Sequence, residues 1–169
     1  MNAATLRARQ APLKERFRAD PAAALITLHA HGRLEGDGIT CRIERPANTI
    51  AGLHPATGGT GEELCSGDML LEALLACAAV TLRSVATIME IPIRAGTAEA
   101  EGEIDFRGTL GVSREAPVGF VAIRLFFTLD TDAAEETLEK LARLTDRYCV
   151  VSQSLNVRPT LTVRRQLSA

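Results

Sequence analysis

The 169 residues include no tryptophan, one tyrosine and five phenylalanines. A core made from them is mainly aliphatic, and 46% hydrophobic residues supply enough material for it. Charge of one sign is not in excess. Nineteen Lys and Arg stand against 21 Asp and Glu, a net charge of −2. No basic patch stands out, so nucleic acid is not an expected partner. The basic N-terminal stretch lacks the apolar core of a secretory signal. The one long apolar run is interrupted by a charged stripe, so no membrane span and no membrane partner are expected. A cytoplasmic protein with reduced thiols is the expectation. Cys41, Cys65, Cys77 and Cys149 form neither a CxxC pair nor a Cys/His spacing. That argues against zinc, and no metal or bound cofactor is expected. Repeats and low-complexity tracts are also lacking.

What is present is organised around residues 65–90, CSGDMLLEALLACAAVTLRSVATIME. At about 100° per residue this is a helix, apolar nearly all round. Asp68, Glu72, Arg83, Thr87 and Glu90 share one narrow stripe. Cys77 lies opposite, with Thr81 and Ser84 as near neighbours. Ser66 or Gly67 is the expected cap, Asp68 suits the positive end of the dipole, and Pro92 is the expected stop. A helix of roughly 33 Å spans a small domain, which would place Cys77 deep.

Residues 1–20 read as a polar helical arm with Leu6, Leu13 and Phe17 on a thin apolar stripe, of a kind that often packs on a partner subunit. Residues 21–169 read as one domain. Ala24–His31 and Ile39–Arg45 alternate as a hairpin, joined by a Gly-rich turn that includes Arg33. Cys41 reads as a small core residue. Residues 50–61, IAGLHPATGGTG, form a Gly- and Pro-rich approach to the long helix that matches no phosphate motif. Thr97–Phe106 and Val121–Asp130 alternate as a second hairpin, with Arg124 facing an acidic row of Glu99, Glu101, Glu103 and Asp105. That row reads as a solvated strand face. Asp132–Tyr148 is an amphipathic helix with capping-box spacing between Asp132 and Glu135, and with Leu138, Leu141, Thr145 and Tyr148 inward. Cys149 follows it, and a strand with Pro159 near a sheet edge closes the chain. Helices and strands in blocks argue for an α+β fold with antiparallel sheet. One sheet cannot cover a helix that is apolar nearly all round, so an intertwined homodimer is expected.

Two reduced thiols that can meet, one deep on a helix and one at a helix boundary, suit a peroxidatic and resolving pair. One attacks a peroxide oxygen and becomes sulfenic acid, and the other condenses with it to a disulfide. Free N–H groups of a new turn at Cys149 would lower that thiol's pKa. An apolar surround favours organic hydroperoxides.

The block LLEALLACAAVTL, preceded by GD, and the later RYCVVSQSL resemble the OsmC/Ohr family of thiol peroxidases. The resemblance runs from about Ala24 to Arg164. It implies intertwined dimers in which antiparallel sheets wrap two long central helices, with active sites at the interface. It implies reduction of organic hydroperoxides, with an external dithiol or a lipoylated protein as reductant. It places Cys77 at the peroxidatic position and Cys149 at the resolving one. Arg33, in HGR where the family carries Gly-Gly-Arg, resembles the family's hairpin arginine. The family glutamate near the start of the helix falls at Gly67, with Asp68 and Glu72 as nearby carboxylates. This departure resembles the divergent OsmC-like branches. Cys65 is either a third redox thiol or a small residue in a tight turn, and His54 is a candidate to line the site. The alternative function is a non-catalytic or redox-sensing relative that holds a small apolar ligand in the interface pocket.

Overall fold

The computed structural model describes residues 3–34, 42–43 and 51–166. Cys41 and the hairpin turn after Leu34 lie outside the described residues. Helix α1 (Ala3–Ala19) ends where Asp20 caps a short 3₁₀ turn, its Oδ1 accepting the Ala22 N–H at 3.1 Å. The arm packs on its own chain. Phe17 is only 1% exposed within the core, and Gln10 Nε2 donates to Thr57 O.

Strand β1 (Leu25–Leu34) pairs antiparallel with the short β2 (Arg42–Ile43) and, along its whole length, with β5 (Ala95–Asp105). Strand β6 (Phe120–Asp130) pairs antiparallel with β5, with a register shift between Glu103 and Ile104. Strand β7 (Thr160–Arg165) then adds parallel to β6, giving the order β2-β1-β5-β6-β7. The sheet is therefore mixed rather than wholly antiparallel. Helical chain separates β6 from β7 and carries it back across the sheet, as a parallel neighbour requires. β7 forms one edge of the sheet, with Pro159 just before it. A second, two-stranded sheet pairs β3 (Ala51–Gly52) with β4 (Leu64–Cys65).

Helix α2 (Ser66–Ile88) lies on one face of the large sheet with Leu71, Leu74, Leu75, Ala78, Ala79 and Leu82 fully buried. A Cβ on Gly102 of β5 would stand 3.2 Å from Leu71 Cδ1, so this is the sheet face that α2 covers. By length and mean hydropathy of 1.7, α2 could cross a membrane. Here it is the core helix instead. Its start is capped by neither Ser66 nor Gly67. Cys65 is the N-cap, and its Sγ accepts the Gly67 N–H at 3.3 Å. Its end comes before Pro92, in a Schellman closure. Ile91 N–H reaches Ala86 O at 2.9 Å and Glu90 N–H reaches Thr87 O at 3.1 Å, with Glu90 left-handed at φ 55°.

Three further expectations change. Helix α4 (Glu135–Tyr148) starts after Ala134 without a side-chain cap, because Asp132 is held by Arg94 at 2.6 Å. Tyr148 is 57% exposed rather than inward, with the Arg147 guanidinium 5.5 Å above its ring. Asp105 is buried, not part of the outer acidic row. It caps the short helix α3 (Phe106–Thr109) and is gripped by Arg107, whose guanidinium holds the carboxyl below the usual range. Arg124 does face the acidic row, pairing with Glu101 and Glu103.

Candidate active site

Cys77 sits midway along α2, half-buried. The helical period aligns it with Ala73, Val80, Ser84 and Ile88, the side of α2 that the sheet does not reach. Val80 is 40% and Ile88 83% exposed there. An apolar groove of about 570 Å³ runs along this side between α2 and α4, lined by Val80, Thr81, Ser84 and Ile88 from one helix and Leu144 and Tyr148 from the other. Thr81 and Ser84, the polar neighbours of Cys77 in the helical projection, are thus groove residues.

Cys149 stands between α4 and the short helix α5 (Val150–Ser154), as the C-cap of one and the N-cap of the other. Its extended backbone, φ −74° and ψ 108°, turns the chain and points the side chain inward, where it is 0% exposed. Its thiol stands near enough to that of Cys77 for the two to interact. The Cys149 Sγ accepts the Ser152 N–H at 3.5 Å. Asp146 fixes this corner. Its carboxylate accepts the Ser152 hydroxyl at 2.7 Å and its carbonyl accepts Gln153 Nε2 at 2.8 Å. Burial pushes the Cys149 thiol up to about 11; the Ser152 N–H opposes this, and the Cys77 thiol alongside adds to it.

The deep thiol is therefore Cys149 rather than Cys77. Cys149 does stand at a helix boundary, as expected, but its pKa is raised and not lowered. One sheet leaves the Cys77 side of α2 open, and the α4–α5 corner tucks Cys149 behind it. The free N–H groups are present at Cys149, but desolvation outweighs them.

The other candidates do not join the two thiols. Asp68, His54 and Cys65 gather at the N-terminal end of α2. Asp68 lies nine residues, roughly 13 Å along the axis, from Cys77. Burial pushes its carboxyl up, while His54 and His29 pull it down. Burial pushes His54 down against the attraction of Asp68. His54 Nδ1 accepts the Ala56 N–H at 3.0 Å and its ring stacks on Phe106 at 4.9 Å. His54 and Cys65 line a separate cavity with Gly67 and Phe120. Glu72 is half-buried five residues before Cys77 and about 140° round the helix from it. Arg33 is on β1 itself, not in the hairpin turn. Its neighbours Gly32 and Leu34 are buried on the α2 side, so Arg33 stands on the opposite face of the sheet. Within one chain it does not meet Cys77.

A model of the OsmC-like protein family matches residues 59–164. The chain belongs to the OsmC-like family. The matched span of this OsmC-like chain holds Cys65, Asp68, Glu72, Cys77 and Cys149, and leaves out Arg33 and His54. Among solved structures, the OsmC-like protein of Mycoplasma pneumoniae is 14% identical, with 82% of this chain and 96% of that one covered and a TM-score of 0.56. The OsmC-like hydroperoxide resistance protein of Jannaschia sp. CCS1 is also 14% identical, with 86% and 90% covered and a TM-score of 0.56. At these identities the likeness is one of fold. No curated protein matches the chain.

Ser152 lies in the RYCVVSQSL block, but its bond to Asp146 was not read from the sequence. Three residues after a cysteine at a helix boundary, Ser152 stands in the first turn of the helix that Cys149 caps.

Proposed function

We propose that this OsmC-like chain is a thiol-dependent peroxidase that reduces organic hydroperoxides. The nearness of the Cys77 and Cys149 thiols carries the reading. Cys77 is the more accessible partner and lies one helical turn before Val80 and Thr81, where an apolar groove begins. Its thiolate attacks the outer peroxide oxygen, the O–O bond breaks, and the alcohol leaves after taking a proton. The Cys77 sulfenic acid then condenses with the Cys149 thiol, forming the disulfide and releasing water. An external dithiol, free or on a lipoylated protein, returns both cysteines to thiols. Roles for Arg33, Asp68 and Glu72 would require a second subunit that brings them to the groove.

The test is stoichiometric. One equivalent of cumene hydroperoxide added to reduced protein should remove two thiols, and peptide mapping should find Cys77 joined to Cys149. If no thiol is lost over minutes, the peroxidase reading fails, and the groove is then better read as a holder of small apolar ligands.

Because burial keeps the Cys149 thiol protonated, resolution quickens as pH rises. Below the value of about 11, the Cys149 thiolate fraction rises about tenfold per pH unit. Dimedone trapping of the Cys77 sulfenic acid should fall correspondingly as pH rises. Trapping that is flat with pH would contradict the assignment of Cys149 as resolving thiol.

The open side of α2 carries the second part of the proposal, a homodimer. Val80, Ile88, Tyr148 and Val150 are exposed together with the groove. Contiguous apolar surface of this kind marks an interface. Ile88→Asp should convert the dimer to monomer in light scattering without lowering helix content. A wild-type monomer at high concentration would rule the dimer out.

A further inference from the structure

We propose that the outer face of the large sheet holds a divalent-metal site of the zinc class, built from His29, His31, Glu99 and Glu101. Strands β1 and β5 run antiparallel with His29 opposite Glu101 and His31 opposite Glu99. Alternation puts all four on the face turned away from α2, since Ala30 and Ala100 between them are buried. Direct cross-strand neighbours and residues two apart on one strand are the closest lateral pairs in a sheet. The four donors therefore mark the corners of one small quadrilateral.

The distances agree. Ligating atoms of His29, Glu99 and Glu101 all lie within 4.8 Å of one another. His29 Nδ1 and Glu99 Oε1 are 3.7 Å apart. A tetrahedral zinc with bonds of about 2.1 Å holds its ligand atoms roughly 3.4 Å apart, so modest side-chain rotations close the cage. His31 stands outside this group of three; its ring lies parallel to that of His29, at 7° with centroids 6.4 Å apart, and turning about its side-chain bonds would bring it in as the fourth donor. Arg124 Nε holds Glu101 Oε2 at 3.2 Å, which orients that carboxylate as an outer-shell partner does and leaves its other oxygen to the metal. Two imidazoles and two carboxylates form a borderline set that suits zinc, with cobalt as its spectroscopic substitute. The acidic row alone gave no reason to expect a metal. The register adds two histidines to it.

The site is remote from Cys77 and independent of the proposed peroxidase cycle. The test uses metal-stripped, reduced full-length protein carrying Cys77→Ser, dialysed against Co²⁺ and then Zn²⁺. One Co²⁺ per chain is expected, with the absorption intensity of a tetrahedral site, no sulfur-to-cobalt band, and displacement by Zn²⁺. His29→Asn and Glu99→Gln should each weaken binding by more than about tenfold, with the metal-free melting temperature unchanged. Absence of binding at millimolar metal overturns the proposal. So does binding that survives both substitutions, or binding with a sulfur band, which would place the metal on the remaining thiols.

Discussion

Cys77→Ser should reduce hydroperoxide turnover by more than about a thousandfold, the scale expected when an enzyme loses its nucleophile. Serine keeps the size of the side chain and leaves the fold intact. What it lacks is the sulfur whose thiolate form attacks a peroxide oxygen. Cys149→Ser should behave differently. The first step survives, so one equivalent of peroxide is still consumed and one thiol lost. The sulfenic acid then persists and is trapped by dimedone, while steady turnover with a dithiol drops because no internal disulfide forms. The pair of results separates attack from resolution, which neither variant does alone. Equal loss of the stoichiometric first step in both variants would contradict the division of labour between them. Ready turnover in Cys77→Ser would end the proposal. Cys65→Ser is the companion control. Cys65 is the N-cap of α2 and stands about 18 Å along the axis from Cys77, and serine is itself a good cap, so activity should be nearly unchanged.

The second large effect concerns stability. Leu75→Ala should destabilise the fold by about 3 kcal/mol, the middle of the range for a fully buried leucine. Leu75 is completely shielded in the core, on the face of α2 opposite the groove. It is one of six residues from Leu71 to Leu82 that are fully enclosed, so the surroundings cannot collapse easily onto a missing side chain. For a chain of this size the midpoint should fall by roughly 10 °C. Thermal denaturation followed by circular dichroism measures it. A loss below about 1 kcal/mol would mean that α2 does not anchor the core.

Much of this architecture was readable in the chain. Strict alternation at Ala98, Ala100, Gly102 and Ile104 gave β5, because a strand covered on one face must repeat every two residues. The unbroken apolar period gave α2, and the break after Tyr148 placed Cys149 at a helix boundary. What could not be read was which way each thiol faces. Periodicity shows that α2 is apolar nearly all round, but not which side the large sheet covers, and Cys77 falls on the uncovered side. The direction of β7 was likewise hidden, since a strand's pattern is the same whichever way it pairs. Asp132 has capping-box spacing with Glu135, yet Arg94 on a distant segment claims it. Local signals lose where a tertiary partner competes for the same side chain.

The burial of Cys149 behind Cys77 has a consequence for how the proposed cycle is reset. In a Cys77–Cys149 disulfide, an incoming reductant meets only the Cys77 sulfur. The mixed disulfide forms there, and Cys149 is always the leaving group. With its thiol held up to about 11, it departs reluctantly. A monothiol would be expelled again faster than it could complete the exchange. A dithiol can close on itself and drive the step forward. The same desolvation that slows resolution thus selects the kind of reductant that can return the protein to service.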